Sequence, residues 1–275
     1  MNRLGFSMGR SLVFAFLRNI SMTTWLICFN VTFFIISSIV FAFSPSFINN
    51  LALQPSAILQ GKYLWTMFTH MFMHAGFFHL FFNMFSLFFV GTFLEKIIGR
   101  KRFLWFYLIS GIIAGIFFIL LSGFFGYGIG ERIFGSPLIS GVGASGAIFG
   151  LVGVLAVLTP RNRVYLIVGP LIAIVIGSIF SNPVTDLILN IYILVSLFAV
   201  FSFNPSLRKL ALPVEMRFWV LPFIAILPLV VIGLFFELPI ANTAHFGGLL
   251  AGLFYGLYLR SKYKRKVRML DRMFR

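Results

Sequence analysis

The chain has 275 residues, 60% of them hydrophobic and 10% charged, with a mean hydropathy of +1.02 and a formal net charge of +16. One soluble core cannot bury that much apolar surface, and several uncharged stretches exceed the about 18 residues that read as a spanning helix, so the composition indicates an all-α polytopic membrane protein. A single cysteine, Cys28, excludes an intramolecular disulfide and leaves no thiolate pair for a metal.

In chain order, residues 1–21 carry Arg3, Arg10 and Arg18 among Leu and Phe and are expected to lie along the interface as an amphipathic cytoplasmic arm. Eight apolar runs follow, at 22–43, 77–94, 103–122, 145–159, 164–180, 185–203, 217–236 and 244–259. The first is longer than the core of a signal peptide and is expected to be a retained helix, with Cys28 filling its packed side. The membrane domain then covers 22–260, and a basic tail occupies 261–275. Eight spans place both termini on one side, which holds every Lys and Arg except Lys62 and Arg132. That bias orients the termini and the basic loops to the cytoplasm, as expected of a plasma-membrane protein. The same bias accounts for the charge without nucleic acid, and the tail is suited to anionic lipid.

On this topology three chain-distant runs present polar side chains at one depth near the outer face. Ser145 heads the fourth, His245 the eighth, and His79 with Asn83, spaced i, i+4, lies on one face of the second. A serine and a histidine at membrane depth point to function. Gly146, Gly150 and Gly153 line the Ser145 run, while Gly248, Gly252 and Gly256 follow His245, small-residue faces that let two membrane helices approach closely. His70 and His74 form an H-x-x-x-H pair, but with neither a thiolate nor an H-E-x-x-H glutamate they read as structural histidines; no metal or cofactor is implied.

The set Gly143-x-Ser145-Gly146, His79-x-x-x-Asn83 and Ala244-His245-x-x-Gly248 resembles the rhomboid family of intramembrane serine proteases, in the family's order. Trp65, Thr69-His70, His74 and Glu95-Lys96-x-x-Gly99 resemble further family positions. The resemblance implies a six-helix core built from runs one to four, seven and eight, with an extra apolar pair at about 160–213. The pair would form two spans or one re-entrant hairpin, either of which preserves the parity. It implies Ser145 as nucleophile and His245 as base, with His79, Asn83, Gly143 and the Ser145 N–H at the oxyanion and substrate site. Gly146 and Gly248 would support the two helices. Phe149 stands where the family often carries an aromatic, commonly Tyr, that stacks on the histidine. Trp219 and Phe223 match the family's lateral gate, and the implied partners are transmembrane protein substrates. None of Glu95, Glu131, Asp186, Glu215, Glu237 and Asp271 has a clear route to His245, so a dyad is expected. Trp65-Thr66 departs from the family's common Trp-Arg. A noncatalytic rhomboid-like factor that binds membrane proteins is the alternative; a transporter fits less well, because the polar residues cluster at one face and no inverted repeat is visible.

Overall fold

Apolar runs become helices here, and the breaks between them fall at residues that stop a helix. The computed structural model describes residues 20–180, 182–235 and 241–273; the expected arm, Ser181, Glu237 and Ile240 lie wholly or almost wholly outside that range. The main helices are α1 (Met22–Phe43), α2 (Phe77–Ile98), α3 (Arg100–Phe125), α4 (Ser145–Leu158), α5 (Val168–Ile179), α6 (Pro183–Val200), α7 (Leu221–Gly233), α8 (Asn242–Lys262) and the tail helix α9 (Lys264–Met273). Ser44-Pro45 ends α1, and Thr159-Pro160 follows α4. Gly99, at φ +85°, separates α2 from α3. Asn182 caps α6 by accepting from the Val184 and Thr185 N–H groups, a favoured N-cap arrangement.

Helices α1, α2, α3 and α6 are each long and apolar enough to cross a membrane. The apolar helices α4, α5 and α7 have 14, 12 and 13 residues, which at 1.5 Å per residue rise only about 20 Å. The protein is a polytopic all-α membrane protein. Within α2, a π-helical turn at Leu87–Gly91 divides Phe77–Ser86 from Thr92–Ile98.

Polar contacts, buried at Glu95 and exposed at Arg102, gather four helix ends at the basic end of the bundle. Glu95, near the end of α2, accepts from the N–H groups of Met22 and Thr23 at 2.8 Å and from the Thr23 hydroxyl at 2.7 Å, which holds the start of α1. Arg102 in α3 donates to the Tyr263 hydroxyl just after α8 at 3.0 Å. With these ends together, the starts of α4 and α8 lie at the opposite end.

Helix α4 is the axis of the core, with Gly146 to Ala156 buried except Phe149. Its backbone meets that of α8. A Cβ at Gly248 would collide with the Gly146 carbonyl, and one at Gly252 with the Gly150 carbonyl. Such small-residue seams replace side-chain interdigitation with direct backbone approach.

Two expected runs are only partly helical. Arg163–Ile167 forms strand β1, antiparallel to strand β2 at Pro213–Arg217, with Arg163 opposite Arg217 and Ile167 opposite Pro213. β-Branched Val164 and Ile167 with Tyr165 favour a strand, and a run of hydropathy does not distinguish strand from helix over five residues. This strand pair closes the base of the insertion, whose α5 and α6 form a helical hairpin. Cys28 is also placed differently from expectation. The packed stripe of α1 is Thr23, Leu26, Asn30 and Ser37, so Cys28 is exposed on the outer side rather than filling the core.

Candidate active site

Ser145 is the first residue of α4, and the chain reaches it through a pinned extended segment. Gly141 and Leu53 exchange backbone hydrogen bonds at 2.8 and 3.0 Å, and the Gly143 N–H donates to the His70 carbonyl at 2.9 Å. Gly143 has φ +120°, a region that L side chains rarely adopt, and a Cβ there would lie 2.8 Å from the His79 ring. The turn into α4 therefore requires glycine on two counts, and it brings His79 against the strand-like approach to Ser145. Ala144 supplies no side-chain cap, so no side chain from the N-cap competes for the first-turn N–H groups of α4.

His245 lies in the first turn of α8 and is buried. Its Nε2 is 2.8 Å from Ser145 Oγ, a hydrogen bond across a hundred residues of sequence. Phe149, one turn after Ser145, stacks on the imidazole at 4.4 Å between ring centroids and 15° between planes. Gly146 and Gly248 permit this proximity, because the α4 and α8 backbones touch within one turn of the pair. His245 Nδ1 is buried and has no hydrogen-bond partner among the described residues.

On α2, Asn83 is buried, and its side-chain amide donates to the His79 carbonyl at 2.8 Å, which ties the two residues together. His79 Nδ1 accepts from the Ala75 N–H at 3.4 Å, and its ring meets His74 edge to face at 5.3 Å. His70 donates from Nδ1 to the Thr66 carbonyl at 2.9 Å. Burial pushes His70 down to about 4, and burial with the neighbouring His79 pushes His74 to about 3, so both rings are neutral at ordinary pH. Among the described residues no three His, Cys, Asp or Glu side chains gather as a ligand set. A small cavity opens behind Ser145, between Ala114, Phe118, Val142, Gly146 and Ala244, with His70 on its wall.

The sequence model described as the rhomboid domain matches residues 61–199 and 189–262. The chain belongs to the rhomboid family. RHOMBOID-like protein 5 of Arabidopsis thaliana is 30% identical over 77% of this chain and 50% of its own length. The rhomboid protease GluP of Bacillus subtilis is 36% identical over 41% of this chain and 19% of its own. Inactive RHOMBOID-like protein 8 of Arabidopsis thaliana is 31% identical over 38% of this chain and 26% of its own. This rhomboid thus spans half or less of the length of these relatives, which include both a protease and a protein named as inactive. The two matched stretches overlap at 189–199, inside α6 of the insertion.

The structure groups Ser145, Gly146, His245, Gly248 and Phe149, and it sets His79 beside Gly143 with Asn83 one turn along. It does not bring Trp219 and Phe223 to this rhomboid's serine. The Trp219 N–H meets the Pro160 carbonyl at 3.4 Å and the Phe218 N–H meets Asn162 at 2.9 Å, so the pair starts beyond the far end of α4, about 20 Å along the helix from Ser145. The β1–β2 pairing ends at the basic end, and α7 starts from there, the same end from which the eight-run topology starts its seventh run. Sequence reasoning also passed over the carbonyls that pin the segments leading to Ser145 and His245. His70 holds Gly143, and Phe134 accepts from the Ser122 hydroxyl at 2.5 Å and the Thr243 hydroxyl at 3.4 Å. Backbone acceptors leave no residue-type signal.

Proposed function

We propose that this rhomboid is an intramembrane serine endopeptidase that cuts transmembrane segments of other membrane proteins near the outer face of the plasma membrane, with both of its own termini cytoplasmic. The observation that carries the reading is the 2.8 Å contact between Ser145 Oγ and His245 Nε2, with Phe149 stacked on the ring. Neutral His245 accepts the hydroxyl proton at Nε2 as Ser145 Oγ attacks the scissile carbonyl, then returns it to the leaving amine. An acyl-enzyme remains, and water activated by the same imidazole releases it.

The developing oxyanion needs donors aimed at it. The Ser145 N–H at the start of α4, with the helix dipole behind it, the His79 ring beside Gly143 and the Asn83 side chain one turn along are assigned that role. The Gly143 N–H is committed to His70, so Gly143 serves through shape, leaving room for the substrate backbone and for His79. A dyad with no acid on Nδ1 predicts slow turnover, since spoiling the aspartate of a serine protease triad lowers turnover by about 10⁴.

Reconstitution with a reporter transmembrane segment tests the reading. Wild type is expected to cleave, while Ser145→Ala and His245→Ala each lose cleavage in a folded protein. Retained cleavage in both variants would sink the protease. Absence of cleavage by wild type on several reporters would favour the noncatalytic alternative, which the inactive-named relative keeps in view.

A further inference from the structure

The inserted α5–α6 hairpin has a small hydrophobic core of its own, and one wall of that core is α2. Ala173, Ile193 and Leu197 are buried there, and the α2 residues Phe78, Phe81 and Phe82 pack against them. One turn along, Phe85 meets Phe201 at 6.0 Å, edge to face. The hairpin is anchored at its base through the strand pair and through Tyr192, whose hydroxyl donates to the Leu210 carbonyl at 2.8 Å.

The part of α2 that it grips is Phe77–Ser86, the segment that carries His79 and Asn83. That segment is bounded by Gly76, which provides no side-chain cap, and by the π-helical turn at Leu87–Gly91. A π turn inside an α-helix is a local departure from the i to i+4 ladder and is often found at functional sites. The ten-residue segment is thus held between two bodies: His79 lies against Gly143 on the α4 side, and the phenylalanines lie against the insertion on the other.

We propose that the α5–α6 hairpin is a positioning element for the oxyanion site, with Ile193 and Leu197 acting through Phe78, Phe81 and Phe82 to fix His79 and Asn83 relative to Ser145. This rests on the protease reading for its catalytic consequence, though the mechanical link is independent of it. Loosening the contact frees the segment between Gly76 and the π turn, while the Ser145–His245 pair, built on α4 and α8, keeps its spacing.

The test compares full-length wild type, Ile193→Ala with Leu197→Ala, and a control pair on the exposed side of the hairpin, Ile188→Ala with Phe198→Ala, all in lipid nanodiscs. Amide hydrogen exchange of residues 77–86 should rise on the order of tenfold in the contact variant, with residues 145–158 unchanged and the control pair matching wild type. On a cleaved reporter, the contact variant should lose about tenfold in kcat with KM within about twofold, as expected when a transition-state donor is misplaced rather than removed. In an Asn83→Ala background that loss should largely vanish, the non-additive result for residues acting through one another. Should the double alanine variant fail to fold, Ile193→Val with Leu197→Ala gives a smaller change of the same sign. Unchanged exchange at 77–86, equal effects from the control pair, or an additive loss with Asn83→Ala would each overturn the proposal. If wild type cleaves nothing in a Ser145-dependent way, the protease reading falls instead, and the exchange arm alone decides whether the hairpin holds α2.

Discussion

Phe149 shows how little chemistry is needed to orient His245. The imidazole lacks a carboxylate at Nδ1 among the described residues, so what fixes its plane is the stacked ring on one side and the Ser145 hydroxyl at Nε2. A stacked aromatic pair is worth about 0.5–1.5 kcal/mol beyond burial, which corresponds to up to roughly tenfold in rate if the orientation is felt in the transition state. Phe149→Ala should therefore lower kcat by several-fold to about tenfold with little change in KM, and Phe149→Tyr should retain activity, both measured on one reporter. A Phe149→Ala enzyme with wild-type kcat would mean that the stack plays no orienting part. Ser145 and His245 were legible in the sequence because polar residues at one depth of an apolar chain stand out, whereas the stack of Phe149 on the histidine came only from the family resemblance.

At the scale of elements, the glycine seam between α4 and α8 is the strongest packing statement in the fold. Gly252 is two turns from His245, and a side chain there would strike the Gly150 carbonyl, which no rotamer change can relieve. Gly252→Val should destabilise the protein by about 1–3 kcal/mol, the range for an overpacked interior, read as a lowered unfolding midpoint in detergent. Because the two helices would have to part, activity should fall with it; an unchanged midpoint would show that the seam is not tight. Seam glycines were readable from their spacing. The strand pair, the π turn in α2 and the outward side of Cys28 were not, because each depends on which neighbour a segment meets rather than on its own hydropathy. Trp219 and Phe223 lie far from the serine because α7 starts at the basic end, where the Trp219 N–H meets the Pro160 carbonyl beyond the far end of α4.

For the whole molecule, charge is segregated. Basic residues crowd the end that holds the tail, where Val267 of α9 is buried while Lys264, Arg265, Lys266 and Arg268 are exposed, an amphipathic helix suited to a lipid surface. Each basic residue near an anionic surface contributes about 1 kcal/mol. Replacing those four with Gln should reduce the anionic phospholipid retained on purification, with neutral phospholipid unchanged, as measured by lipid mass spectrometry. Equal retention by wild type and variant would argue against a lipid role for α9.

Many active sites hold their groups apart by side-chain packing, which breathes with temperature and with the solvent around it. Here the distance between the Ser145 hydroxyl and the His245 imidazole is set by two main chains in contact, Gly146 against Gly248. A thicker or thinner bilayer tilts peripheral helices at a cost of fractions of a kcal/mol per Å of mismatch, far less than parting two abutting backbones would require. The serine–histidine spacing is thereby insulated from the membrane's composition, and under the proposed function what lipid thickness would tune is how a substrate reaches the pair.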